Sequence, residues 1–277
     1  MTIVEGCLLS GVDDLTIIDF LLFVAVGCGV GFLAGLFGVG GGFIMVPILI
    51  LSYEHYGFSP SVLTHMAIGT SLFVIVLISI MSAYQHNKLN NIDWRAVFLI
   101  GLSSALPAFI TTGLAAKLSG RHLRVVFALV VITAAIRMLT EGKAKAQKKL
   151  ELSPQSNALR LIGVGITTGI ISALAGIGGG IFIIPMMYYF IDMPLKLAIG
   201  TSSATIFITA FFSAGGYILN GMNKADLPQW SFGFVDFQRG IALAIGASLL
   251  VKVGAHISFK THPYRLRKLF AFFIIFI

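Results

Sequence analysis

Charged residues are scarce in this sequence. Asp, Glu, Lys and Arg make up 11% of its 277 residues, whereas hydrophobic residues make up 57%. Soluble domains average about 25% charged residues. The mean hydropathy of +0.96 is also far above what a hydrated surface allows. The composition therefore excludes a water-soluble protein and indicates a protein whose surface faces lipid.

Cysteine and catalytic motifs are lacking too. Cys7 and Cys28 have neither CxxC spacing nor the spacing of a zinc site, so we predict no disulfide and no metal site. The apolar runs contain no paired carboxylates, no Cys/His pair and no Walker A motif, while Asp93, Asp226 and Asp236 fall in loops. We therefore expect no enzymatic activity and no cofactor.

Long apolar runs are what the sequence has instead. Runs at 17–37, 66–83 and 96–116 are each close to the roughly 20 residues that cross a hydrocarbon core of about 30 Å as a helix. A β-barrel would need segments of about 10 residues in which polar and apolar residues alternate, and these runs are uniformly apolar. We therefore predict an all-α polytopic membrane protein.

The basic residues give the chain a formal net charge of +8, but they cluster in loops between the apolar runs. Such placement is typical of residues that orient a membrane protein. The sequence therefore predicts contact with membrane lipid and none with nucleic acid. The first 16 residues contain no Lys or Arg, unlike the start of a cleavable signal peptide, so we expect the N-terminus to be retained.

An internal repeat divides the chain. GFLAGLFGVGGGFIMVP at residues 31–47 recurs as GIISALAGIGGGIFIIP at 169–185, and AIGTS at 67–71 recurs at 198–202. Chance does not readily place a GxGGG run, a proline shortly after it and then AIGTS in the same order twice. The chain therefore contains two copies of one helical unit, each interrupted by a glycine-rich break.

A weaker match extends the repeat. YQHNKLNNID at 84–93 aligns with YILNGMNKAD at 217–226 through a shared Tyr, Asn and Asp. A lysine-rich polar stretch separates the two copies. We therefore divide the chain into an N-terminal repeat at 1–140, a basic linker at 141–158 and a C-terminal repeat at 159–277.

With these motifs the chain resembles the TauE/SafE sulfite exporter family. In that family each half begins with a GxxxGxGGGxxxxP-like segment and carries a GTS-like motif, and both recur here in the repeats described above. The resemblance covers nearly the whole chain. It implies transport of sulfite, sulfonates or related sulfur-containing anions across a membrane, without indicating which anion.

The breaks also predict the topology. Residues 17–53 would form a helix of about 55 Å, too long for one upright crossing, so the chain must turn at the break. Whether the two arms cross fully or dip halfway and return, they contribute an even number of crossings. Three later helices, at about 62–84, 95–117 and 123–140, then give each half an odd number of crossings and predict an inverted second half. The expected fold is two inverted-topology repeats, each a glycine-broken helix hairpin followed by three spanning helices.

Charge supports this topology. With the N-terminus extracytoplasmic and the linker cytoplasmic in the cell inner membrane, 14 of the 19 Lys and Arg residues lie inside, as the positive-inside rule requires. The basic residues expected outside are Lys117, Arg121, Arg124, Lys224 and Arg239.

The breaks are the expected substrate site. Each presents the N-terminus of a resumed helix, whose unpaired N–H groups and partial positive charge favour an anion. Glycine lets the backbone approach a ligand, and hydroxyls of AIGTS can donate to anion oxygens, although such hydroxyls often bond to their own helix. The expected substrate-binding residues are Gly38, Gly40, Gly41, Gly42, Phe43, Thr70, Ser71, Gly176, Gly178, Gly179, Gly180, Ile181, Thr201, Ser202 and Ser203.

One histidine has two interpretations. His65, at the start of an apolar run, is an anion partner or proton carrier, or more simply a histidine at a helix interface.

The predicted function is a secondary transporter that exports a small anion, bound at the midplane between the breaks, by alternating access. The anion follows from the helix N-termini, and its sulfur chemistry, as sulfite or an organosulfonate, follows only from the family resemblance. An anion channel, a cation-coupled importer and a membrane scaffold without transport are the alternatives. The sequence also leaves open whether the protein forms a homodimer.

Overall fold

A computed structural model describes residues 16–140, 154–224 and 226–261. Within these ranges the chain forms nine α-helices and one short antiparallel hairpin. The elements are α1 (Ile17–Phe37), α2 (Gly42–His55), α3 (Leu63–Lys88), α4 (Trp94–Ala115), α5 (Gly120–Thr140), α6 (Pro154–Ala175), α7 (Gly180–Phe190), α8 (Leu195–Gly221), β1 (Ser231–Phe232), β2 (Val235–Asp236) and α9 (Phe237–Lys260).

Six described helices are long and apolar enough to cross a membrane, namely α1, α3, α4, α6, α8 and α9. The helices that follow the breaks, α2 and α7, have 14 and 11 residues. The predicted all-α polytopic fold is therefore confirmed. The helix expected at about 123–140 is α5. Its counterpart in the second half, expected after Arg267 and Lys268, and most of the basic linker lie outside the described residues.

Two of the helices begin at aspartates that the sequence placed in loops. The Asp93 carboxylate accepts a hydrogen bond from the Ala96 N–H at the start of α4, and the Asp236 carboxylate accepts one from the Arg239 N–H at the start of α9, both at 3.1 Å. Both aspartates are thus helix N-caps, which satisfy backbone N–H groups that have no partner within the helix.

Glycines let α1 pack closely along α9. A Cβ added at Gly31 would collide with the backbone of Ala247, and one added at Gly35 would collide with that of Val251. Residue numbers rise together along the two helices, so α1 and α9 run parallel. Small residues that bring backbones together are a common basis of helix association in membranes.

The second half makes the equivalent contact, with the roles of the two halves swapped. A Cβ at Gly165 would meet the backbone of Ile100, and one at Gly169 would meet that of Ser104, so α6 packs parallel to α4. The first helix of each half therefore packs against the aspartate-capped helix of the other half. The two halves are interlocked and do not form separate bundles.

Helices α3 and α8 cross at the centre of the molecule. A Cβ at Gly69, near the start of α3, would lie 3.3 Å from the Cβ of Tyr217, near the end of α8. The Ser82 hydroxyl, toward the end of α3, donates to the Ser203 hydroxyl near the start of α8 at 3.0 Å. The two helices therefore run antiparallel.

Contacts between the halves occur in pairs. Thr70 Oγ1 accepts a hydrogen bond from the Asp236 N–H, and Thr201 Oγ1 accepts one from the Asp93 N–H, each at 2.9 Å. Thr70 and Thr201 occupy the same place in the two AIGTS segments. A twofold axis that exchanges the halves produces such reciprocal contacts.

The same pairing of contacts corrects the weaker repeat match, the alignment of residues 84–93 with 217–226. His86 Nε2 hydrogen-bonds the Gly35 carbonyl oxygen at 3.3 Å, and the Tyr217 hydroxyl donates to the Ala173 carbonyl oxygen at 2.8 Å. Gly35 and Ala173 are equivalent in the repeat, so Tyr217 corresponds to His86 and the alignment of Tyr84 with Tyr217 was wrong.

The alignment of Asp93 with Asp226 was wrong as well, because the capping contacts pair Asp93 with Asp236. The physical reason is the longer connection between α8 and α9. It contains the β1–β2 hairpin, which has no equivalent between α3 and α4. A shared Tyr, Asn and Asp in the sequence did not reveal this insertion.

The antiparallel crossing of α3 and α8 predicts a specific cross-link. We expect the Ser82→Cys/Ser203→Cys variant, with Cys7 and Cys28 replaced by Ala, to form an intramolecular disulfide on mild oxidation, detected by peptide mass spectrometry. Ser213 lies about 15 Å along α8 from Ser203 at 1.5 Å per residue, so Ser82→Cys/Ser213→Cys is the control that should stay reduced. A cross-link in the control pair but not in the test pair would contradict this packing.

Candidate functional site

Each break is a run of glycines with left-handed backbone. L side chains avoid this region because the Cβ approaches the following carbonyl oxygen, so these positions require glycine. The left-handed positions are Gly38, Gly40 and Gly41 in the first break and Gly176, Gly178 and Gly179 in the second, with φ between +67° and +83°.

The fourth glycine of each break has another reason, which is contact between the two breaks. A Cβ at Gly42 would lie 2.5 Å from the Gly176 carbonyl oxygen and 2.8 Å from the Ile177 Cα. A Cβ at Gly180 would lie 2.6 Å from the Val39 Cα and 2.8 Å from the Val39 carbonyl oxygen. The first residue of α2 and the first residue of α7 therefore each press against the opposite break.

Two isoleucines close the space between the breaks. A Cβ at Gly40 would lie 3.1 Å from Ile75 Cγ2 and 3.4 Å from Ile206 Cγ2, and a Cβ at Gly178 would contact the same two methyl groups. Ile75 in α3 and Ile206 in α8 are both fully buried. The breaks therefore meet in a tightly packed apolar setting in this conformation.

The AIGTS serines bind the breaks. The Ser71 hydroxyl donates to the Gly176 carbonyl oxygen at 2.9 Å, and the Ser202 hydroxyl donates to the Gly38 carbonyl oxygen at 3.0 Å. Neither serine bonds its own helix in these contacts. Each satisfies a carbonyl of the opposite break, which is how irregular backbone at membrane depth avoids an unpaired polar group.

The remaining predicted hydroxyls form hydrogen bonds with residues outside the breaks. Thr70 and Thr201 accept the N–H groups of the two capping aspartates, as described above. Ser203 donates to the Ile199 carbonyl oxygen of its own helix at 3.1 Å and accepts a hydrogen bond from Ser82. Their oxygens therefore already have protein partners.

The predicted site residues come together. Besides the glycines and hydroxyls, Phe43 and Ile181, which follow the breaks, are fully buried. That an anion binds these residues stays a prediction. A ligand between the breaks would require them to move apart, because their contacts leave no space for it in this conformation.

His65 is a link between helices. Its Nε2 lies 3.1 Å from the carbonyl oxygens of Ala115, the last residue of α4, and of Leu118 in the connection to α5. Its ring stacks on Phe234 at a centroid distance of 5.1 Å. Two carbonyl neighbours indicate that Nε2 carries the proton. These contacts favour the interpretation of His65 as an interface histidine.

A buried ion pair is the site feature that sequence reasoning missed. Arg239 and Asp236 are 1% and 2% exposed, and Arg239 Nη1 donates to Asp236 Oδ2 at 2.7 Å. From the sequence we placed Asp236 in a loop and counted Arg239 only among the basic residues outside the membrane. One signal could have found the arginine: it lies three residues after a capping aspartate, in the first helical turn, where the helix dipole disfavours a cation.

No group of three or more His, Cys, Asp and Glu side chains within the described ranges could hold a metal ion.

The described residues contain six apolar helices long enough to cross a membrane and two glycine breaks that meet, an arrangement typical of membrane transporters. The chain belongs to the TauE/SafE family, because the family model described as "Sulfite exporter TauE/SafE" matches residues 23–277. The resemblance noted in the sequence is thereby confirmed.

Curated relatives agree with this class. A probable membrane transporter protein of Haemophilus influenzae is 33% identical over 92% of this chain and 95% of that protein. One of Methanocaldococcus jannaschii is 34% identical over 89% of each chain, and one of Bacillus subtilis, YunE, is 25% identical over 87% of this chain and 89% of that protein. No solved structure matches the chain.

The left-handed glycines predict a stability difference. Gly41→Ala should lower the melting temperature of the purified protein in detergent, because the left-handed backbone alone costs about 1–2 kcal/mol with a side chain. The new Cβ would also lie 2.5 Å from Val30 Cγ1.

Gly163→Ala is the matched control, since Gly163 lies within α6 with nothing near its added Cβ. Alanine is the better helix former, so this variant should melt at the same temperature or slightly higher. Equal melting of Gly41→Ala and the wild type by differential scanning fluorimetry would refute the need for glycine at the break.

Proposed function

We propose that this protein is a secondary transporter that exports a small sulfur-containing anion, such as sulfite or an organosulfonate, through a site between the two glycine breaks by alternating access. The observation that carries the proposal is the meeting of two helix N-termini. Gly42 begins α2 against the second break, and Gly180 begins α7 against the first. A helix N-terminus directs unpaired N–H groups and partial positive charge at a ligand, which favours an anion.

The antiparallel helices support inverted repeats. α3 and α8 carry the same AIGTS motif, run in opposite directions and are each long enough to cross the membrane. A twofold axis that relates them is perpendicular to both, and so lies in the membrane plane and exchanges its two sides. This is the inverted arrangement in which transporters place a ligand at the repeat interface.

The paired serine contacts supply a basis for alternating access. Because α3 and α8 are antiparallel, the Ser71–Gly176 bond and the Ser202–Gly38 bond lie toward opposite membrane sides. If one of these two hydrogen bonds breaks while the other stays formed, the site between the breaks is exposed to one side of the membrane at a time. The isoleucines that seal the breaks, Ile75 and Ile206, favour this over a permanently open anion channel.

The sulfur chemistry and the direction rest on the family, whose model is described as a sulfite exporter. The membrane potential suits export of an anion, since it is worth about 2.3 kcal/mol per charge per 100 mV and drives negative charge out of the cell. The distribution of Lys and Arg residues supports an extracytoplasmic N-terminus and a cytoplasmic linker in the cell inner membrane.

Flux in proteoliposomes tests the proposal. Sulfite efflux should saturate with internal sulfite, accelerate when a potassium gradient with valinomycin makes the interior negative, and show counterflow with external sulfite. Saturation and counterflow would be absent in a channel. No sulfite, sulfoacetate or thiosulfate flux above empty liposomes would contradict a transporter of such anions and favour a scaffold.

The serines give the matched variants. Ser71→Ala and Ser202→Ala each remove a hydrogen bond between a break and the other half, worth about 0.5–1.5 kcal/mol. Because this bond must break when the gate opens, each variant should change the rate of efflux about two- to tenfold. Ser79→Ala removes a hydroxyl that bonds the Val76 carbonyl oxygen within the same helix and should leave efflux unchanged. Equal rates in all three variants would remove the serine contacts from the mechanism.

A further inference from the structure

The side chain of Arg239 departs from the twofold arrangement. Its capping partner Asp236 corresponds to Asp93 in the first half, and the residue in the place of Arg239 there is Ala96. Arg239 is nevertheless 1% exposed, although its side chain is large and charged. Buried cations are costly unless they are paired or bind something, so this asymmetry needs a reason.

The arginine is only partly satisfied. Nη1 donates to Asp236 Oδ2 at 2.7 Å, but Nε and Nη2 have no hydrogen-bond partner among the described residues. Guanidinium N–H groups donate within the plane of the group. Two donor atoms of a buried guanidinium are therefore available to an acceptor that the described residues do not provide.

Three aromatic rings surround the guanidinium. The Arg239 Cζ lies 4.6 Å from the ring centroid of Tyr56, 5.0 Å from that of Phe58 and 5.4 Å from that of Tyr53. Rings at this distance stabilise a cation through their π faces and exclude water. They do not satisfy its in-plane N–H groups, which are the groups that bind oxyanions with two parallel hydrogen bonds.

This cluster connects directly to the breaks. Thr70 Oγ1 accepts the Asp236 N–H at 2.9 Å and lies 3.2 Å from the Tyr53 hydroxyl. The next residue, Ser71, donates to the Gly176 carbonyl oxygen of the second break. Arg239 is thus at one end of the proposed anion path.

The connection between α2 and α3 covers the arginine. It carries Tyr56 and Phe58, and the Phe58 ring stacks on Tyr53 at 4.9 Å. Gly57 between them has a φ of +72° with nothing near its added Cβ. Since α2 begins at the first break, a movement of α2 that opens the break also moves the aromatic cover.

We propose that Arg239 forms a second anion site at the Thr70 end of the breaks, where its Nε and Nη2 bind two oxygens of a sulfite or sulfonate group while Asp236 competes with that anion for the guanidinium. The site rests on the proposed function for the nature of its ligand. It makes the two ends of the path unequal, because the first half has no equivalent arginine. An anion that leaves the breaks toward Thr70 meets the buried Arg239, whereas at the Thr201 end the equivalent position is Ala96.

Binding of sulfite to purified protein, measured as thermal stabilisation over a concentration series, tests the site. Arg239→Gln should weaken binding at least about tenfold, since charge-assisted hydrogen bonds to an oxyanion are lost. Asp236→Asn should tighten binding at least about threefold, because it removes the competing carboxylate while Asn can still cap α9. Arg124→Gln breaks an exposed 2.7 Å ion pair with Glu54 and should not change binding.

The outcomes separate this inference from the proposed function. If the wild type binds sulfite and both Arg239→Gln and Asp236→Asn bind it with the same affinity, the Arg239 site is overturned. The transporter proposal then remains intact. Absence of sulfite, sulfoacetate and thiosulfate binding to the wild type removes both. If Arg239→Gln does not fold, Asp236→Asn decides, because a purely structural arginine predicts no gain in affinity from that change.

Discussion

The contact between two glycine breaks determines most of this structure. Two stretches of irregular backbone lie against each other inside a helical membrane protein, and lipid offers their polar groups no hydrogen bonds. They must therefore be enclosed, and α3 and α8 enclose them from either side. The serine of each AIGTS segment reaches a carbonyl of the opposite break, so each half completes the backbone of the other. Glycine is required both by left-handed φ values and by the closeness of the two chains.

Reciprocity explains why the halves are interlocked and where they differ. Helices α1 and α6 each pack on the capped helix of the other half, through glycines that bring the backbones together. Such exchange gives two equivalent sets of contacts, one toward each side of the membrane in the proposed orientation. Arg239 lies outside this equivalence, because Ala96 stands in its place in the first half. The proposed mechanism thus combines a symmetric gate with an asymmetric charge.

The broken helices, the spans and the association of GxGGG with AIGTS were predictable from the sequence, because the length of apolar runs and repeated motifs are signals that can be read along the chain. The partners of the hydroxyls were not, since Ser71 and Gly176 are distant in the chain and meet only after folding. The register beyond AIGTS was misread because the β1–β2 hairpin lengthens one connection. Arg239 was missed because a cation beside an apolar run resembles an orientation signal, and only the packing of Tyr53, Tyr56 and Phe58 shows its burial.

The proposed function depends on an anion that binds between the two helix N-termini at the breaks. A crystal structure of the protein soaked with selenite, a heavier analogue of sulfite, would locate that anion by anomalous scattering. We expect an anomalous peak between the breaks, with selenite oxygens about 3 Å from backbone nitrogens at the starts of α2 and α7. Peaks found only at the protein surface, with the breaks still in contact, would contradict it.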